Sequence, residues 1–253
     1  MEIALQDAME DLRCIAVELF QSKAFSHAMT CTHLSAGYRP TGVEYAQTPD
    51  RPDLMESVSL PVTQILALLH GHNCEYDDLH RAMGKTTELM QSLLRSVVAQ
   101  ADSYYGTSAQ CGHLAFGNAS FLQLSFYRPG VASREVLQDE HEDGNLITLC
   151  SSSGPGLEIR KGQEFFPITP SSPQLILMPG DIFSILSGGA VPALRHRVCR
   201  VPELEQRLSI LFFACPDPNQ PIQPWRVTDK NAGVNISERI ITNPVQFGFS
   251  PLS

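Results

Sequence analysis

The sequence predicts an α+β chain in which an N-terminal helical segment packs on a double-sheet jelly roll. Three observations carry that expectation. Apolar residues recur at helical spacing before Tyr105. After Gly106 the apolar runs become short and rich in β-branched and aromatic residues. Those runs are separated by Pro-Gly, Gly-Asp, Ser-Gly-Gly and Pro-x-Pro punctuation. Helices first and many short strands afterwards place the helices together against a pair of sheets. With 253 residues and 43% hydrophobic content, the chain can bury a full core without covalent or metal staples.

Taken in order, Leu5, Ala8, Met9, Leu12, Ile15, Ala16, Leu19 and Phe20 fall three and four apart and predict one amphipathic helix. Residues 29–60 carry Gly37, Pro40, Gly42, Pro49 and Pro52 with little periodicity, so a long ordered loop on the core is expected. Pro61 is placed to open a short helix reaching about His70. A longer helix is expected from Asp77 to Tyr104, burying Leu79, Met83, Leu89, Leu93, Leu94, Val97, Val98 and Ala101. Extended runs follow at Phe121–Tyr127, Leu146–Cys150, Leu157–Arg160, Gln174–Met178, Ile182–Leu186, His196–Val201 and Leu208–Phe213. The organisation is thus one domain over 1–253: a mostly helical part to 105, a jelly-roll core over 106–216 and a tail over 217–253 that wraps back on the roll.

Composition narrows the function classes. Against 27 Asp+Glu stand only 18 Lys+Arg, a formal charge of −9, and no basic stripe is present, so nucleic acid is not an expected partner. Seven scattered cysteines without Cys-x-x-Cys suit a reduced, cytoplasmic chain. The acidic first residues do not read as a signal peptide, and the longest apolar runs are too short to cross a bilayer. His70, His72, Cys74 and His80 occupy a helix end and a polar turn, where surface histidines are common, and His113 has nothing to distinguish it. The Ser151–Gly156 turn lacks the Gly-Lys-Ser/Thr ending of a phosphate loop.

Chemistry concentrates between Gln138 and Pro216. His141 and Asp143 stand two apart, so on an extended segment both point to one face, and a distant His196 can return beside them. Two imidazoles and a carboxylate with vacant positions suit Fe(II), whereas a closed Zn site would use Cys or a fourth ligand. A lone His-x-Asp pair arises by chance in many proteins, so its company matters. Arg207 and Ser209 share a face of an expected strand, and a guanidinium fork beside a hydroxyl can hold a small carboxylate.

His141-Glu142-Asp143-Gly144 with Ile147-Thr148-Leu149, Gly156-Leu157-Glu158-Ile159, Gly180-Asp181, His196-Arg197-Val198, Arg207-x-Ser209 and Phe212-Phe213-x-x-Pro216 follow one another in an order that resembles the isopenicillin N synthase-like 2-oxoglutarate and Fe(II)-dependent dioxygenases. The resemblance covers residues 120–216 and is thinner upstream, where the family's opening strand and Val-Asn-His-Gly-like turn have no counterpart in the sequence. It implies a double-stranded β-helix with His141, Asp143 and His196 as Fe(II) ligands. It further implies that Arg207 and Ser209 bind the distal carboxylate of 2-oxoglutarate. Tyr127 stands where the family has the tyrosine of Asn-x-Tyr, although Ser125 replaces the asparagine; it is expected to donate a hydrogen bond to the cosubstrate. Phe213 is a substrate-facing candidate, with a core aromatic as the alternative.

The implied reaction consumes 2-oxoglutarate and O2, gives succinate and CO2, and oxidises a small molecule by hydroxylation, desaturation or ring formation, in the manner of secondary-metabolite biosynthesis. Asp143 argues against halogenation, for which the family vacates that position. Two alternatives remain open at this point: an Fe(II) oxidase of the same fold that does not use 2-oxoglutarate, and a non-catalytic jelly-roll binding protein. Neither the substrate nor the oligomeric state is legible.

Overall fold

The computed structural model describes residues 2–22, 37–69, 77–107, 119–168, 175–217, 219 and 222–238. The expected features at residues 29–36, His70, His72, Cys74, His113 and Gln174 lie outside them. The elements in chain order are α1 (Glu2–Ser22), β1 (Gly37–Arg39), β2 (Met55–Pro61), α2 (Val62–Leu69), α3 (Asp77–Tyr105), β3 (Phe121–Tyr127), β4 (Val136–His141), β5 (Ile147–Ser152), β6 (Leu157–Lys161), β7 (Glu164–Ile168), β8 (Ile176–Pro179), α4 (Asp181–Leu186), β9 (His196–Cys199) and β10 (Arg207–Ala214). A large sheet runs β1-β2-β3-β10-β5-β8 and a small one β4-β9-β6-β7, and every pairing is antiparallel.

The two faces of the large sheet bury different chemistry. On the outer face Val58, Leu60, Leu122, Leu124, Phe126, Leu208, Ile210 and Phe212 form one core with Leu5, Met9, Leu12, Ala16 and Phe20 of α1 and Leu79, Met83, Met90, Leu94 and Val98 of α3. Phe20 stacks on Phe126 with ring centroids 4.9 Å apart. The helices are therefore held by burial of an amphipathic stripe, at about 25 cal/mol for each Å² of apolar surface removed from water. Between the sheets, Met55, Tyr127, Cys150 and Met178 from one meet Leu137, Leu157 and Val198 from the other. Beyond the roll, Trp225 donates its indole N–H to Asp102 on α3 at 2.8 Å and packs against Tyr105 and Phe183.

Two expectations are corrected. The stretch expected as a loop contains β1 and β2, the latter paired with β3 along its full length. Its inner positions are Ser57 and Ser59, buried yet polar, so the apolar alternation that marks a strand is missing from one face. Ile182–Leu186, expected to be extended, is the body of α4. Its apolar residues at 182, 183, 185 and 186 carry helical spacing, and only Ile182 and Leu186 are fully buried. β7 has no counterpart among the expected strands; its burial is shallow and Pro167 sits within it.

Candidate metal and cosubstrate site

β4 and β9 bring the histidines together, because His141 is paired with His196 in the ladder. The strand ends at His141, so Asp143 stands on the turn that follows rather than on an extended segment. That turn is pinned from the other side: the Asp181 amide donates to the Asp143 carbonyl at 2.8 Å, and the Thr148 hydroxyl donates to Asp143 Oδ2 at 2.6 Å. Thr148 also receives the Asn145 side-chain N–H at 3.0 Å. One carboxylate oxygen is thereby held, and Oδ1 is left 3.6 Å from His141 Nε2 and 3.9 Å from His196 Nε2.

The imidazoles are oriented for the same point. Nδ1 of His141 faces the Asp139 carbonyl at 2.8 Å, and Nδ1 of His196 faces the Leu194 carbonyl at 3.1 Å. A carbonyl only accepts, so each Nδ1 carries the proton and each Nε2 presents a lone pair. One atom from each of His141, Asp143 and His196 lies within 4.8 Å of the others, the spacing at which a single ion bonds all three. Burial pushes the His141 pKa down, and the neighbouring His196 adds to that while Asp143 opposes it. The neutral, ligating form is favoured.

Along β10 the inner face carries Arg207, Ser209, Leu211 and Phe213 in turn. Arg207 is 1% exposed, yet it belongs to no ion pair among the described residues. Its Nε donates to the Pro155 carbonyl at 3.0 Å and Nη1 to Ser209 Oγ at 2.8 Å, and the guanidinium sits 5.2 Å from the Tyr127 ring centroid. A buried cation without a counter-ion is costly, and a guanidinium fork is chemically able to bind a carboxylate through two parallel hydrogen bonds. Phe213 is stacked on Phe121 at 4.6 Å and is paired with Thr148, so it lies on the metal side of this face.

Tyr127 is brought beside Arg207 by the β3–β10 register. Its hydroxyl donates to Gln138 Oε1 at 3.1 Å, so donation to a cosubstrate requires that bond to be exchanged. Burial drives its pKa upward, which keeps the phenol protonated. Cys150 lies between the two ends of the site, since both Arg207 and Asp143 act on its thiol; burial raises that thiol to about 11. His80 is buried in α3, apart from these groups.

Sequence reasoning missed Thr148, Asn145 and Gly180. A Cβ on Gly180 would collide with the Asn145 carbonyl oxygen and stand 2.8 Å from that of Asp143, so only glycine lets α4 close on the turn that carries Asp143. The run Asp143-Gly144-Asn145-Leu146-Ile147-Thr148 held the signal, as polar residues flanking a candidate ligand before a buried strand.

Comparison with known proteins agrees with this geometry. Residues 119–216 match the family model described as the 2OG-Fe(II) oxygenase superfamily. Gibberellin 2-beta-dioxygenase 7 of Arabidopsis thaliana is 36% identical over 99 residues, covering 38% of this chain and 29% of that protein. Gibberellin 2-beta-dioxygenase 8 of the same plant is 26% identical over 96% of this chain and 72% of its own length. The first alignment thus spans under a third of the relative and the second nearly three quarters. Among solved structures, a full-length Neurospora crassa protein in complex with alpha-KG superposes with a TM-score of 0.73 at 20% identity, covering 92% of this chain and 82% of that one. The Arabidopsis thaliana dioxygenase for auxin oxidation 1 superposes at 0.69 with 21% identity, covering 87% and 82%. Residues 119–216 thus resemble the 2OG-Fe(II) oxygenase superfamily in sequence, and the chain shares the fold of these solved structures.

Proposed function

We propose that this protein is an Fe(II)- and 2-oxoglutarate-dependent oxygenase that oxidises a small organic metabolite. His141, Asp143 and His196 would hold Fe(II), and Arg207 with Ser209 would hold the far carboxylate of 2-oxoglutarate. The observation that carries this is the pairing, inside one roll, of a two-nitrogen, one-oxygen cluster with a fully buried arginine that has no carboxylate partner among the described residues. When bound, Fe(II) and 2-oxoglutarate supply the activation of O2: the 2-oxo acid leaves as succinate and CO2, and the second oxygen atom serves oxidation of the substrate.

The chain's own residues do the positioning. Asp139 and Leu194 fix the imidazole tautomers through their carbonyls, Thr148 orients Asp143, and Arg207 sets the direction in which the cosubstrate enters. The apolar layer of Met55, Leu137, Cys150, Leu157, Met178 and Val198 excludes water around it, which strengthens each polar contact inside. Phe213 is proposed as a substrate-side ring.

Succinate production decides the matter. The purified protein with Fe(II), O2 and 2-oxoglutarate is expected to form succinate slowly alone and faster with a substrate. A first panel would hold gibberellins, auxin and thymine, compounds named for the relatives and structural neighbours. Iron binding without any 2-oxoglutarate consumption would favour the oxidase reading; absence of metal binding would refute both. We place the reaction in secondary-metabolite biosynthesis, in a reducing compartment.

A further inference from the structure

We propose that Asp53 is an outer-sphere carboxylate of the metal centre, a positioning residue that braces the β4 bulge presenting His141 and adds a buried negative charge beside it. The proposal rests on the assignment of His141 as a metal ligand.

The ladder between β4 and β9 is irregular. Gln138 faces Val198 and His141 faces His196, so β4 spends three residues where β9 spends two. A bulge leaves an amide without a partner on the neighbouring strand and re-aims the next side chain. Here the residue re-aimed is His141, and the carbonyl that orients its ring belongs to Asp139, inside the bulge.

The missing partner comes from the segment ahead of β2. The Leu54 amide donates to the Leu137 carbonyl at 2.7 Å and the Asp53 amide to the Glu44 carbonyl at 2.8 Å, which lays residues 53 and 54 along the outer edge of β4. From there the Asp53 carboxylate meets the Asp139 backbone amide and the Gln138 side chain, both acting as donors toward it. Gln138 in turn receives the Tyr127 hydroxyl. One acidic side chain therefore touches both the bulge that aims a metal ligand and the residue that holds the tyrosine beside Arg207.

Its burial marks it as more than a brace. Asp53 is 2% exposed, and its Oδ1 has no hydrogen-bond partner among the described residues. A buried carboxylate with an unpaired oxygen costs stability in the metal-free protein. A dication held by His141 reverses that balance, because opposite charges attract strongly where water is excluded.

The test measures two properties whose changes have opposite sign. Metal-free wild type, Asp53→Asn and Asp53→Ala are titrated anaerobically with Fe(II), and with Mn(II) as a redox-stable probe, while metal-free melting is recorded in parallel. Loss of an outer-sphere partner lowers metal affinity by about 10- to 100-fold. Both variants are expected to show that loss, Ala more than Asn because Asn keeps an acceptor for the bulge amide, with melting unchanged or raised. Metal affinity equal to wild type in both variants overturns the proposal. So does an affinity loss accompanied by a parallel drop in melting temperature, which a merely structural role would give. Should Asp53→Ala not fold, Asp53→Asn decides alone. A wild type that binds neither metal refutes the metal site itself, a separate failure.

Discussion

Replacing Arg207 by methionine isolates the cosubstrate end of the site. The change keeps length and removes the charge. In the folded chain it deletes the bonds to Pro155 and Ser209, each worth about 1 kcal/mol net. It also relieves the burial of a guanidinium without an anion, a cost of similar or larger size. The fold should therefore keep its stability to within about 2 kcal/mol. Binding of 2-oxoglutarate should not survive as well, because removing one partner of a buried, hydrogen-bonded charge pair costs about 2–5 kcal/mol. That corresponds to roughly 30- to 5,000-fold weaker binding. The assay is anaerobic titration of the Fe(II)-loaded protein with 2-oxoglutarate, followed by the metal-to-cosubstrate charge-transfer band, with the metal affinity itself as control. An Arg207→Met protein that binds 2-oxoglutarate as tightly as wild type would refute the assignment. Loss of metal binding in the same variant would show that Arg207 supports the metal end instead.

Four further outcomes are expected. His196→Ala should abolish stoichiometric Fe(II) binding and succinate formation while leaving circular dichroism unchanged; full iron content would sink the triad. Thr148→Val removes the 2.6 Å bond to Asp143 Oδ2 and should weaken metal binding by about 10- to 100-fold with little change in melting. Gly180→Ala forces a Cβ against the Asn145 carbonyl oxygen, so the ligand turn must shift; destabilisation of about 1–3 kcal/mol or more and loss of iron are expected by denaturant titration and metal analysis. Burial raises Asp53 from 3.8 to about 6. A carboxyl with a raised folded pKa binds more protons when folded, so its ionisation costs stability as pH rises from about 4 through 6 and the cost persists above. Metal-free wild type should therefore fall behind Asp53→Asn in melting temperature across that window. A constant difference from about pH 4 to 8 would contradict it.

The residue types that a metal demands are legible without coordinates, because ligand chemistry is local: a His-x-Asp pair, a distant histidine and an Arg-x-Ser pair each name their own donors. The long helices are legible as well, since α1 and α3 repeat their apolar residues at the spacing that their burial shows. β2 and α4 escape such a reading, β2 because its buried face is polar and α4 because its helical spacing spans only six residues. Both carry side chains whose company is decided by chain far away: Ser57 and Ser59 are buried against β3, and Ile182 and Leu186 close over the large sheet. Periodicity reports which face is apolar, and it is silent where the buried face is polar.

How the donors are held, and which charges lack partners, emerges only from the packed chain. Asp143 leaves its strand and gains Thr148 and the Asp181 amide. Among the described residues Arg207 is buried with no carboxylate partner, and Asp53, on a stretch whose sequence reads as a plain loop, is a buried acid with an unpaired oxygen beside the bulge that aims His141. Residue types alone set which atoms could bind a metal and a carboxylate. Strand register and burial set that they face one point, since the distance between groups far apart in the chain depends on the pairing of strands and the exclusion of water, and neither is written in the neighbouring residues.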